Sequence, residues 1–114
     1  MGWFGGLVIQ TNNSVPGNFE ALPVTDTTTT YFTRGKIKPT SGTYSGMTAQ
    51  AALLSLEGGD IRFRIDGVSP PTSTSGHYMV SGDTFLLIGA QAINQFRAIK
   101  AGDTDGTLTA TYFF

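Results

Sequence analysis

A chain of 114 residues with a formal net charge of −1 has room for one domain, and its composition excludes several classes of protein. Charged residues make up only 13% of the chain and its seven basic residues are balanced by eight acidic ones, so a nucleic-acid partner is not expected. The absence of cysteine excludes disulfides and thiolate metal sites, and the low charge indicates a surface suited to burial against neighbouring subunits.

Residues 1–9 form an apolar segment that contains Trp3 and Phe4. The segment has no basic region and is too short and too interrupted by glycine to span a membrane. Gly6 stands where a myristoylation motif requires Ser or Thr. We therefore predict an ordered strand or docking arm here, and no membrane partner.

Residues 1–46 as a whole are expected to form this extended N-terminal arm with loosely attached strands. Pro16, Pro23 and Pro39 interrupt the apolar stretches, which restricts any strand here to the edge of a sheet or to an extended segment.

A small basic group follows, in which Arg34, Lys36 and Lys38 alternate beside Tyr31 and Phe32. Aromatic and basic side chains on one strand can bind single-stranded nucleic acid. Three charges are few for that purpose, so we favour ion pairs with a neighbouring subunit.

Residues 47–114 are predicted to form the core of an antiparallel β-sandwich or jelly roll, because short β patterns alternate with Gly-acid turns. Residues 60–66 and 107–112 alternate apolar and polar side chains, as half-buried strands do. Residues 84–88 are continuously apolar, and residues 95–100 are expected to be their partner strand after a single helical turn at residues 90–92.

Residues 47–56 are ambiguous, since Ala, Leu and Gln also favour helix. A strand is the preferred interpretation because a Gly-Gly turn and the strand at 60–66 follow at once, which indicates a hairpin.

Side chains with catalytic potential stand in positions typical of turns. Most carboxylates adjoin glycine, where Asp caps its own backbone and Gly supplies a positive φ. Asp103 and Asp105 are too few for a calcium site. The single histidine, His77, is interpreted as a strand-edge or interface residue. We predict no catalytic, cofactor or metal site, and no enzyme.

The candidate interface comprises large or charged side chains at the termini, in the basic group and on the strand at 60–66. Aromatic rings at both termini either pack into the chain's own core or anchor it in a neighbour, and both alternatives remain open. Arg62 and Arg64 share a strand face and are expected to meet acidic partners. The full set is Trp3, Phe4, Tyr31, Phe32, Arg34, Lys36, Arg62, Arg64, Phe113 and Phe114.

One stretch resembles a family of small virion proteins of tailed bacteriophages. The resemblance lies in Leu-Ser-Leu-Glu-Gly-Gly-Asp-Ile-Arg-Phe-Arg-Ile-Asp-Gly at 54–67, Pro-Pro-Thr at 70–72, Ser-Gly-His at 75–77, Gly-Asp at 82–83 and Phe-Arg-Ala-Ile at 96–99. It covers residues 48–113, so residues 1–46 fall outside it.

The resemblance implies a β-sandwich or jelly-roll subunit of the virion, present as a homo-oligomer that contacts the major capsid protein or other virion subunits. The leading hypothesis is a capsid decoration (cement) protein that bridges capsid subunits. The first alternative is a neck, tail or fibre-base component. A carbohydrate-binding β module, with Trp3, Tyr31, Tyr44 and Tyr78 as stacking surfaces, is the alternative of another class.

Overall fold

The computed structural model describes residues 15–25, 29–67, 69–72 and 74–114, and shows two antiparallel sheets with two short helices. The predicted all-β class is confirmed. In chain order the elements are β1 (Pro16–Val24), α1 (Arg34–Ile37), β2 (Ala51–Gly58), β3 (Ile61–Arg64), β4 (His77–Met79), β5 (Thr84–Ile88), α2 (Ala90–Gln95), β6 (Arg97–Lys100) and β7 (Gly106–Phe113).

The strands divide into a four-stranded sheet of order β1-β7-β2-β5 and a three-stranded sheet of order β4-β3-β6. Every pair of neighbouring strands is antiparallel. The edges of the first sheet are therefore β1 and β5, and those of the second are β4 and β6.

Alternation along the strands builds one core that both sheets share. Leu108, Ala110 and Tyr112 of β7 are buried, as their alternation with Thr predicts. Ile61 and Phe63 of β3 are buried from the other sheet, while Arg62 and Arg64 remain partly exposed. The inward side chains of the two sheets belong to a single hydrophobic cluster.

Residues 47–56 contain the predicted strand and no helix, with the strand itself at Ala51–Gly58. The predicted hairpin with the next strand is wrong. At Gly58 the chain leaves the four-stranded sheet and enters the other one, so β2 pairs with β7 and β5 whereas β3 pairs with β4 and β6.

Gly59 allows the chain to pass from one sheet to the other here, because its lack of a side chain lets its backbone lie against that of Thr104. A Cβ on Gly59 would lie 1.9 Å from the carbonyl oxygen of Thr104, which no side chain could accommodate without backbone movement.

The expected pairing of residues 84–88 with 95–100 is also wrong. β5 pairs with β2, and β6 pairs with β3 in the other sheet. The predicted helical turn at 90–92 is confirmed and extends to Gln95 as α2, which carries the chain between the two sheets.

In the first half of the chain, β1 pairs with β7 from Pro16 to Val24, with an irregularity between Pro16 and Asn18. Its edge position agrees with the restriction that Pro16 and Pro23 impose. Trp3 and Phe4, with the rest of residues 1–14, lie outside the described residues.

Candidate interaction surface at the β5 edge

The edge strand β5 has the sequence Thr-Phe-Leu-Leu-Ile and carries neither a charge nor a proline. Leu87 is buried in the core, but Phe85 and Ile88 are 40% and 65% exposed. Natural sheets ordinarily protect an edge with charge, proline or a bulge, because its unpaired backbone groups can add another strand. Such protection is lacking along β5.

The hydrogen bonds at the two ends of β5 show which backbone groups point outwards. The Leu56 N–H donates to the Asp83 carbonyl at 3.0 Å, and the Gly89 N–H donates to the Gln50 carbonyl at 2.8 Å. In an antiparallel ladder every second residue pair exchanges hydrogen bonds, so residues 83, 85, 87 and 89 face β2. The N–H and C=O groups of Thr84, Leu86 and Ile88 therefore point away from the sheet.

A cleft of about 500 Å³ opens beside this edge. Residues of the edge strands β4 and β5, which the turn at 80–83 joins, line it. Phe63 of β3 also contributes to the lining, with its ring centroid 5.8 Å from that of Phe85 and 5.4 Å from that of His77. The lining residues are Phe63, Ile65, His77, Tyr78, Met79, Asp83, Thr84 and Phe85. The volume lies in the range of ligand and peptide sites.

Two carboxylates fix the turn at 80–83, which joins β4 and β5. Asp83 accepts a hydrogen bond from the Val80 N–H at 3.0 Å. Asp60 accepts from the Ser81 N–H at 2.9 Å and from the Tyr78 hydroxyl at 2.8 Å, and these bonds hold the pKa of Asp60 below its ordinary value. The hydrogen bond between the Tyr78 hydroxyl and Asp60 also raises the pKa of Tyr78. These acids perform the turn function that their glycine neighbours predict.

The outer face of the three-stranded sheet presents Arg62 beside Tyr78. The guanidinium of Arg62 lies 5.0 Å from the centroid of the Tyr78 ring and donates to the Gly76 carbonyl at 3.1 Å. Arg64 forms an ion pair with Asp66. An acidic partner for Arg64 is thus already present two residues further along the chain, just after β3 ends.

The remaining candidate interface residues fall into two groups. Phe32, Phe113 and Phe114 are buried within the chain, and Phe114 stacks on Tyr44 with centroids 4.9 Å apart. For the C-terminal rings, packing into the chain's own fold is therefore the alternative that the structure shows, and none of the three offers an exposed ring to a neighbour.

Tyr31, Arg34 and Lys36 are exposed. Arg34 donates to the Asn94 side chain at 2.5 Å, and Arg97 lies over the Tyr31 ring at 5.8 Å. This basic surface adjoins α1, α2 and β6.

Phe85 and Ile88 are the surface residues that the sequence did not single out. A continuous apolar run is typical of a strand buried on both faces, so it carries no local sign of an edge. The sequence feature that could have indicated an interaction edge is the lack of any charge in a predicted strand between two glycines.

His77 lies on the edge strand β4, as predicted for a strand-edge histidine. Among the described residues, no three His, Cys, Asp or Glu side chains are grouped closely enough to hold a metal ion. Lys100 binds Asp105 at 3.1 Å in the turn where a calcium site was considered. Within the same part of the chain, no helix has the length and apolar character needed to cross a membrane.

The three described tyrosines considered for sugar stacking occupy different places. Tyr31 packs beside Arg97, Tyr44 stacks on Phe114, and Tyr78 lies against Arg62. No protein-family model, curated protein or solved structure matches this chain.

Proposed function

We propose that this chain is a structural subunit of a tailed-phage virion, most specifically a capsid decoration protein that bridges major capsid subunits as a homo-oligomer. The observation that carries the proposal is the uncharged β5 edge, where exposed Phe85 and Ile88 border outward-pointing backbone groups. A surface of this kind is typical of a protein that functions in contact with other subunits.

Three further features support the proposal. The likeness of residues 48–113 to small virion proteins supplies the class of particle. The charge content of 13% suits a chain whose surface is largely covered by neighbours. The shared core of the two sheets fits a β-sandwich of the jelly-roll kind, in which loops and edges remain available for contacts.

Multiplicity explains how modest contacts can suffice. A symmetric oligomer that engages several capsid subunits at once raises the effective concentration of each contact. Neither the apolar edge nor the N-terminal arm therefore needs a high affinity of its own.

The direct test is to quantify this chain in purified particles and to locate it by reconstruction. We expect copies in the hundreds on the head surface. A dozen copies or fewer at the neck or tail would favour the alternative of a neck, tail or fibre-base component. A freely soluble monomer that never co-sediments with particles would contradict both.

A second test removes residues 1–10. We expect the truncated chain to remain folded and to lose particle binding, as judged by circular dichroism and co-sedimentation. Normal occupancy on heads after the deletion would contradict a role for the arm.

A further inference from the structure

The strand β5 leaves the backbone groups of Thr84, Leu86 and Ile88 pointing outwards beside a largely apolar cleft. The cleft lies between the edges of both sheets, so an added strand along β5 would place one set of side chains towards Phe63 and Phe85 and the other set beside Leu86 and Ile88. Both faces of that strand would contact apolar residues. An occupant that fits must therefore be apolar at successive positions and must contain no proline.

Residues 3–9 of this chain, Trp-Phe-Gly-Gly-Leu-Val-Ile, meet these requirements. The run has no charge and no proline, so its backbone can complete the ladder that Thr84, Leu86 and Ile88 leave open. Its large side chains occur at both odd and even positions, which suits a strand covered on both faces.

Two properties of the residues before Val15 indicate whether residues 3–9 bind to their own molecule or to a second copy: their length, and the position of Val15 in the four-stranded sheet. At least fourteen residues precede Val15, and when extended they span about 46 Å, against 40 Å for the longest dimension of the protein. The arm is therefore long enough to reach a neighbouring molecule.

Val15 adjoins Phe114 at the end of the four-stranded sheet where β5 finishes at Ile88. A segment that turned round this end onto its own β5 would run parallel to it. All described strand pairs are antiparallel, and a parallel pair is less stable per residue. A second copy can supply the segment in the antiparallel direction.

We propose that residues 3–9 of one copy add as an antiparallel strand to β5 of a second copy, alongside its apolar cleft. The inference rests on the proposed homo-oligomer and names the contact that builds it. Val15 and Met47, which are exposed at the same end of the sheet as Ile88, would extend the apolar path of the incoming arm.

Trp3 provides a probe for this contact because it is the chain's only tryptophan. In the full chain we expect a blue-shifted emission at high concentration that moves to the red on dilution, in step with a loss of mass by light scattering. The concentration dependence is the decisive feature, because a strand bound within one molecule would not respond to dilution.

The matched variants are Ile88→Lys on β5 and Ala21→Lys on β1, the opposite edge of the same sheet. Both positions are exposed, so both variants should fold. Lysine on β5 should weaken association by at least about tenfold, equivalent to about 1.4 kcal/mol, and leave Trp3 emission red-shifted. Lysine on β1 should leave both readouts unchanged.

A peptide of residues 1–12, added to a chain that lacks them, should bind and recover the blue-shifted emission, and should bind more weakly when that chain carries Ile88→Lys. A blue-shifted emission independent of concentration would place the arm in its own molecule and overturn the inference. So would association that persists without residues 1–12. These measurements use purified protein, so their outcome is separate from co-sedimentation with virus particles.

Discussion

The two edges of the four-stranded sheet are built in opposite ways. β1 carries Pro16, Pro23 and Glu20 and is irregular beside Gly17, all of which oppose the addition of another strand. β5 carries five uncharged residues with a regular register against β2. The sequence of β1 therefore disfavours an added strand, although Phe19 is 59% exposed there, whereas β5 carries none of these features.

The edges also differ in how firmly they belong to the core. Val24 at the end of β1 is fully buried, and Glu20 accepts hydrogen bonds from the Tyr112 hydroxyl and from the N–H and hydroxyl of Thr33. The outward side of β5 ends in Ile88, which is mostly exposed. Buried contacts thus attach β1 to the core, whereas β5 ends in an exposed apolar side chain.

The largest expected effect is the difference in stability between a variant truncated at a buried side chain of β1 and one truncated at an exposed side chain of β5. Val24→Ala removes two buried methyl equivalents and leaves a cavity, so we expect a loss of about 2.5 kcal/mol in the free energy of unfolding. Ile88→Ala should change it by less than about 0.5 kcal/mol in the monomer. Urea denaturation at low protein concentration measures both, and equal losses would contradict the difference between the edges.

Gly17 tests the packing of the C-terminal ring beneath β1. A Cβ there would lie 2.7 Å from a ring carbon of Phe114 and 2.8 Å from one of Tyr44, so alanine must displace the stacked pair. We expect Gly17→Ala to cost about 2 kcal/mol through overpacking. The control is Gly35→Ala in α1, where an added Cβ would meet no side chain and no backbone from outside the helix within 4 Å, so alanine should stabilise the protein slightly. Equal changes in the melting temperature of the two variants would show that Phe114 and Tyr44 are not tightly packed against Gly17.

Glu20 tests the polar attachment of β1. Glu20→Ala leaves the hydroxyl of the fully buried Tyr112 without its acceptor, and we expect a loss of about 1.5 kcal/mol in the free energy of unfolding. Glu57→Ala, on an exposed position of β2, should have little effect. A double-mutant cycle with Tyr112→Phe would isolate the pair, and additive losses would contradict their coupling.

Local patterns predicted the strands well, because alternation is a property of a few consecutive residues. Leu108, Ala110 and Tyr112 are buried where their spacing with Thr places them, and Ile61 and Phe63 behave in the same way. The edge position suggested by Pro16 and Pro23 also followed from a local property, the missing N–H of proline.

The assignment of strands to sheets could not be predicted in this way. Gly58 and Gly59 are typical of a hairpin turn, yet Gly59 lies against the backbone of Thr104, and this distant contact directs the chain into the other sheet. The same limit applies to the candidate surface. The run at 84–88 becomes an exposed edge only because no described strand follows it in the order β1-β7-β2-β5.

The smallest expected effect concerns the turn at 80–83 beside the cleft. Asp60 has a pKa below its ordinary value of 3.8, chiefly through the Ser81 N–H and secondly through the Tyr78 hydroxyl. Because the folded-state pKa is lowered, the stabilisation is present above the ordinary value and is lost as the pH falls through the folded-state value. Tyr78→Phe removes one donor, so the pKa of Asp60 should rise towards 3.8 while the Ser81 bond keeps it from reaching that value. Titration of the Asp60 carboxyl carbon by NMR measures the shift, with Tyr31→Phe as the control. An unchanged pKa would mean that the Tyr78 hydroxyl does not hold the Asp60 carboxylate, and that the Ser81 N–H accounts for the lowered pKa.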